Sequence, residues 1–361
     1  MKERRLSKQL VNVYLVVMLA VLLGVPVGAQ PSSTAKKVWE LRFATDAPLT
    51  GYLSKNYAIP LAKNIEEATH NRVKVTYYPA QMLGKKAEQY DMVVNGVADM
   101  TWISVGTNPG RFPLTEMFQL PVLGLYDSLV GVRTSMAFYE QFKDVYDKPY
   151  SGVKVLHLIA GTGYYLYSTK PVRSLEDFKG MKIVAAGAAP TAMTGTLGAV
   201  PVPIPTPEVY SALEKGVVSG AWYGGGAPMD FRFYEVAKYR TDIELYVAAY
   251  HTVMNLSTWN SFPKDIQEQV MRVAGLTGAE LFAKGYANVM DDINRAKWKE
   301  VGEVIPLPAK DMAKIKVLAK PIQEDYVAKL EAKGLPAKVM YNKLLSLIDK
   351  YNEERAKEIR K

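Results

Sequence analysis

Apolar and polar residues alternate with period two over residues 38–44, where Trp39, Leu41 and Phe43 are separated by Glu40 and Arg42, and this predicts a half-buried strand. The spacing then changes to that of a helix over 54–69, with Tyr57, Leu61 and Ile65 on one face. Further on, the pattern predicts a strand over 72–78, a helix over 86–96 closed by Gly96, and a short buried strand over 98–103. Strands follow at 153–159, 164–168 and 182–186, then a small-residue helix at 190–197 and a short strand at 202–204. A helix over 207–215 carries Pro207 in its first turn. Beyond Ile243, residues 246–259 are rich in β-branched and aromatic side chains. Residues 263–302 read as one helical stretch, long enough to act as a spine between two lobes. Helices at 309–333 and 336–357 complete the chain. Strands alternating with helices predict α/β layers, and no internal repeat or low-complexity linker interrupts them.

The first thirty residues differ in kind. Lys2, Arg4, Arg5 and Lys8 precede a nearly uncharged run from Asn12 to Val27, and Val27-Gly28-Ala29 supplies the small residues of a cleavage site. Residues 1–29 are therefore expected to be a secretory signal peptide cut before Gln30, with the mature protein in the periplasm. The apolar run is short for a membrane span, and no later run reaches spanning length. The chain has no cysteine, which excludes both a lipid-modified cysteine anchor and a disulfide scaffold. Of the net charge of +9, the leader carries +3, and the rest is dispersed rather than in blocks, so no nucleic-acid partner is expected. The remaining length suggests two domains.

Catalytic and metal motifs are not found. His70, His157 and His251 lie in unlike contexts without zinc spacing. Gly216-Val-Val-Ser219-Gly220 has the wrong spacing for a nucleophile elbow, and Ser33-Thr-Ala-Lys36 stands alone next to the cleavage site. Gly161-Thr-Gly163 lacks the third glycine and the helix of a dinucleotide loop. Gly224-Gly-Gly226 is a flexible turn with no Gly-Lys-Ser/Thr behind it. The adjacent pairs Glu66-Glu67 and Asp291-Asp292 point different ways on a helix and form no dyad. No cofactor and no catalytic activity are expected.

Several ordered segments carry a family resemblance. Residues 65–79, ending in Val-Lys-Val-Thr-Tyr-Tyr-Pro79, lead into Gln81-Met-Leu-Gly84; Val94-Asn-Gly-Val-Ala-Asp-Met100 and Pro121-Val-Leu123 follow. Lys170-Pro-Val-Arg-Ser-Leu-Glu-Asp-Phe-Lys-Gly-Met-Lys-Ile183, Leu197-Gly-Ala-Val-Pro-Val202 and Glu208-Val-Tyr-Ser-Ala-Leu-Glu-Lys-Gly-Val-Val-Ser-Gly220 come next in order. In these pieces the chain resembles the solute-binding proteins of tripartite ATP-independent periplasmic (TRAP) transporters, of the dicarboxylate-binding type. The resemblance implies a two-lobe Venus-flytrap fold with crossing strands, a long helix spanning both lobes, a small organic solute in the cleft, and a membrane permease as partner. On that basis lobe I is expected at 30–160 plus 250–285, lobe II at 161–249 plus 286–345, and a C-terminal helix and tail at 346–361. A monomer is expected, and the chain by itself does not separate transport from chemoreception.

The resemblance also exposes departures. Family members carry a carboxylate-clamping arginine after Gly-x-Lys-Ile, and Val184 stands there. A second arginine position maps to Tyr164, and a third contact region maps to Trp222 and Tyr223. Three ligand readings stay open. The solute lacks a carboxylate or is recognised mainly through an apolar or aromatic part, with Tyr164, Trp222 and Tyr223 as walls. Alternatively, an organic acid is held by tyrosine hydroxyls, backbone amides, Arg111 or Arg232. The third reading is a cationic amine in an aromatic cage. Tyr165 and Tyr167, on the face opposite Leu166, read as packing residues. From the first lobe, the cleft candidates are Asp46 and the loop to Tyr52, then Trp102, Ser104 and Asn108 at the end of the third strand, and Phe118 and Tyr126 beside the proline loop.

Overall fold

The computed structural model describes residues 37–243 and 245–360, and the expected signal peptide lies outside them. Two sheets organise the chain. The first has the order β2-β1-β3-β10-β4, built from β1 (Trp39–Ala44), β2 (Val73–Tyr78), β3 (Met100–Ser104), β4 (Val153–Gly163) and β10 (Val247–Asn255). The second has the order β11-β9-β5-β8-β6-β7, built from β5 (Tyr165–Ser168), β6 (Lys182–Val184), β7 (Val200–Val202), β8 (Gly220–Tyr223), β9 (Tyr239–Asp242) and β11 (Glu303–Pro306). In the first sheet β1 runs parallel to β2 and β3, while β10 is antiparallel to β3 and β4. In the second, β6 runs parallel to β7 and β8, and β5 is antiparallel to β8 and β9.

The lobes are joined where strands run on from one sheet into the other. One residue, Tyr164, separates β4 from β5, and a short segment separates β9 from β10. The two crossings are tied together, since the Tyr164 amide donates to Tyr246 O at 3.1 Å. The third link is the expected spine helix, which has a break. Lys264–Ala274 stops at Gly275, whose ψ of −128° is not helical, and the chain resumes as a helix over 276–301. At 1.5 Å per residue that second segment is about 39 Å long, enough to run from one lobe to the other. Its start packs on Ser128–Gln141 and β4, and its end on β9 and β11.

The helix over 276–301 widens into a π-type turn at Ala283–Ala287, opposite a similar turn at Ser54–Ala58. Gly285 permits the approach, because a Cβ there would lie 2.9 Å from Asn56 O. Ala309–Glu331 packs on Ala188–Thr196 of the second lobe and on the last helix, Ala337–Ile359, which lies against Ser128–Gln141 of the first. The expected boundary at 345/346 therefore falls inside one continuous helix. The hydrophobic interior divides on both sides of the first sheet and on both sides of the second.

Candidate functional site

The strand ends at which each lobe turns toward the other carry the candidate site. Asp46 follows β1, and its carboxylate takes Lys86 Nζ at 2.7 Å. Two side chains fix the backbone around Lys86. Gln81 Oε1 accepts from the Lys86 amide at 2.8 Å, and Asn108 Nδ2 donates to Ala87 O at 3.1 Å. The ammonium and carboxylate are only partly enclosed, with 34% and 21% of their side chains exposed. Burial pulls the Lys86 ammonium downward, but the charge and hydrogen bond of Asp46 outweigh it and hold its pKa above the usual lysine value.

Tyr164 stands at the crossing and joins the two lobes chemically. Its ring is nearly parallel to that of Tyr223 at the end of β8, with centroids 6.2 Å apart and planes 16° from parallel. Its hydroxyl is hydrogen-bonded to Tyr250 and feels the charges of Lys86 and Asp46; burial, the largest influence, raises its pKa. Tyr250 in turn stacks on Trp102 at 4.5 Å. The Tyr223 hydroxyl donates to Thr206 Oγ1 at 3.2 Å. A row of aromatic rings thus runs from the core of the first lobe, through the crossing, to the second.

Two further contacts bridge the lobes beside this row. Asp230, at the end of the short helix Ala227–Asp230, accepts a hydrogen bond from the Tyr52 backbone amide across the gap. Burial raises the pKa of this carboxyl, while that bond and the charge of Lys55 oppose the rise. Tyr286, in the π-type turn of the spine, accepts from the Gly226 amide at 2.7 Å. The glycine turn is needed here for closeness as well as flexibility. A Cβ on Gly224 would sit 2.1 Å from Gly163 O, and one on Gly225, where φ is +61°, would sit 2.7 Å from the Tyr286 oxygen.

The structure brings together only some of the residues expected from sequence. Asp46, Tyr164 and Tyr223 lie in the cluster, and Asn108 supports it from behind. Trp102 sits one layer back, 6% exposed, with Phe282 also stacked against it. Trp222 is turned away from Tyr223 into the core of the second lobe; it is 2% exposed, packs on Phe178, and its indole N–H donates to Thr194 Oγ1 at 3.0 Å. The cause is strand alternation, which sends neighbours to opposite faces. Val184 is likewise enclosed among Val209, Leu213 and Ala221, and Phe118 is fully buried against Phe138 in the first lobe. Tyr126 packs partly buried against that same core. Tyr165 and Tyr167 pack as expected, on Arg240 and Trp298 respectively.

The two fallback arginines are engaged elsewhere. Arg111 forks onto Asp91 at 2.7 and 3.0 Å and covers the Tyr90 ring, while Arg232 is largely exposed and pairs with Glu235. Sequence reasoning missed Lys86, Tyr250, Tyr286 and Asp230. None of the four carries a motif, and Lys86 reads in the sequence as one of two lysines at the start of a helix. Two surface recesses lie outside this cluster. One of about 510 Å³ is lined by Arg133, Met136, Met271 and Tyr351, and one of about 240 Å³ by Glu116, Ala189 and Tyr326.

Comparison with known proteins places this geometry. Residues 47–330 match the bacterial extracellular solute-binding protein family 7, DctP. The uncharacterized protein YiiZ of Salmonella typhimurium is 30% identical over 194 residues, which cover 50% of this chain and 56% of that relative. The sialic acid-binding periplasmic protein SiaP of Vibrio cholerae is 27% identical over 62% of this chain and 71% of its own length. Among solved structures, a TRAP solute-binding protein from a marine metagenome, specific for aromatic acid ligands and bound to 3-hydroxybenzoate, superposes with a TM-score of 0.80. It is 26% identical and covers 87% of this chain and 99% of its own. With its matching segments in order and its two sheets joined by crossing strands and a spine helix, the chain belongs to the DctP-type, family 7 solute-binding proteins of TRAP transporters.

Proposed function

We propose that this protein is an exported receptor that captures a small organic solute between its lobes and delivers it to a TRAP membrane permease, without chemical turnover. The supporting observation is the aromatic wall made by Tyr164 and Tyr223, one ring from the lobe crossing and one from the second lobe, with the Lys86–Asp46 pair beside it. Such a wall offers a flat apolar surface with polar groups at one end, which suits a ring bearing a polar substituent. The family's arginine clamp has no counterpart at Val184, which is enclosed in the second lobe. An ordinary dicarboxylate held by that clamp is therefore not the ligand favoured here. The likeness to a receptor specific for aromatic acids makes small aromatic acids the first ligands to try. A cationic amine is the second reading, because the Asp46 and Asp230 carboxylates both lie beside tyrosine rings.

A thermal-shift screen of the chain from Gln30 onward tests the proposal, since binding to the native state alone raises stability by about 2.7 kcal/mol at a hundred times Kd. Benzoate and 3-hydroxybenzoate are expected to raise the Tm. If succinate and malate alone did so, the aromatic reading would be wrong. Stabilisation by quaternary amines alone would favour the second reading.

A further inference from the structure

We infer that Lys86 is the anion anchor of the cleft, taking the place of the missing arginine, and that the solute lays a carboxylate on its ammonium while its ring packs along Tyr164 and Tyr223. The inference rests on the cleft being the solute site. Three features of Lys86 suit the task. Its amide is held by Gln81 and the carbonyl of the next residue, Ala87, by Asn108, so the side chain starts from a fixed point. Its ammonium keeps its proton in spite of burial, because Asp46 outweighs the loss of water. An ammonium has three N–H donors, and the contact with Asp46 Oδ2 at 2.7 Å occupies one of them, which leaves room for a second carboxylate.

The surroundings fit the same assignment. The Tyr164 hydroxyl lies within the field of Lys86 and is hydrogen-bonded to Tyr250, so the polar end of this ring of the aromatic wall is the end that feels the ammonium. Lysine is a compact point charge on a flexible stem, unlike the planar fork of arginine. It therefore accepts a carboxylate without fixing its plane, and the ring contacts are left to set orientation. Arg111 and Arg232 are committed to Asp91 and Glu235, and Lys55 acts on the Asp230 carboxyl. Asp46 has two effects. It keeps Lys86 charged, and it repels a ligand carboxylate, which favours acids carrying one charge over those carrying two.

The test is calorimetric titration of the wild type, Lys86→Met and the double variant Asp46→Asn/Lys86→Met with benzoate and with benzamide, its uncharged counterpart. The double variant removes both members of the pair and avoids leaving a half-buried carboxylate alone. The wild type is expected to prefer benzoate. Both variants are expected to lose benzoate affinity by about ten- to a hundredfold while benzamide changes little, as for removal of a charge-assisted hydrogen bond. A folded variant that kept the wild-type preference for benzoate over benzamide would overturn the assignment. Failure of the wild type to bind any aromatic acid would instead overturn the reading of the cleft, and the Lys86 assignment with it.

Discussion

Trp222 and Tyr223 are chain neighbours with opposite surroundings. Trp222 fills the core of the second lobe with its N–H satisfied by Thr194, while Tyr223 faces Tyr164 across the site. Trp222→Ala is expected to cost about 3–5 kcal/mol in urea unfolding, as for other buried aromatic truncations. Tyr223→Ala is expected to cost much less stability and to weaken binding of an aromatic acid by up to about tenfold, the worth of one ring contact. Equal effects on stability would contradict the two placements. The sequence pointed to the region after Gly220 but did not say which of the two residues turns toward Tyr164. Period-two alternation says only that the two differ. Lys86 was illegible for another reason. In sequence it is one of two lysines opening a helix, which reads as a solvated end, and its partner Asp46 lies forty positions earlier. Only the parallel strands of the first sheet bring the two together.

At the scale of elements, the strands and helices with clean periodicity were legible, and those missed have physical reasons. β9 carries Arg240 fully buried between Asp242 and Asp291, so its interior face reads as charged. β11 ends in Pro306. The helix Ser128–Gln141 is buried on most of its surface and shows little amphipathic pattern. It also lies so close to β4 that a Cβ on Gly131 would meet Ala160 O at 1.7 Å. Gly131→Ala is therefore expected to abolish soluble expression or lower the Tm sharply. The break at Gly275 was not legible. Next to it, His157 binds the Ala274 carbonyl through Nδ1 at 2.5 Å and the Tyr57 hydroxyl through Nε2 at 2.6 Å. Burial pulls His157 down to about 4 and His251 down to about 3. Both stay neutral in the folded protein where the unfolded chain would already be protonated. Their contribution is thus complete above about pH 6.5 and is lost as pH falls towards those values, at up to about 1.4 kcal/mol per pH unit for each. Unfolding midpoints from pH 7 to 4 are expected to fall less steeply in His157→Gln than in the wild type. Parallel slopes would contradict a neutral, buried His157.

For the whole molecule, the two-lobe architecture followed from the alternating pattern together with the ordered family segments, but the details of closure did not. The Asp230–Tyr52 contact crosses the lobes without involving the aromatic row, and it is expected to favour closed lobes whatever the solute. Asp230→Ala is expected to enlarge the radius of gyration of the ligand-free protein in X-ray scattering. It should also weaken every ligand by a similar factor, because a smaller closed fraction lowers apparent affinity uniformly. A change confined to one ligand class would instead place Asp230 in direct contact with the solute. The proposed ligand is a small aromatic acid captured in the interlobe cleft. Titration calorimetry of the chain from Gln30 onward with 3-hydroxybenzoate tests it most directly. Saturable binding of one molecule per chain, lost or weakened in Lys86→Met, is the predicted result; absence of binding, with saturation by succinate under the same conditions, would contradict it.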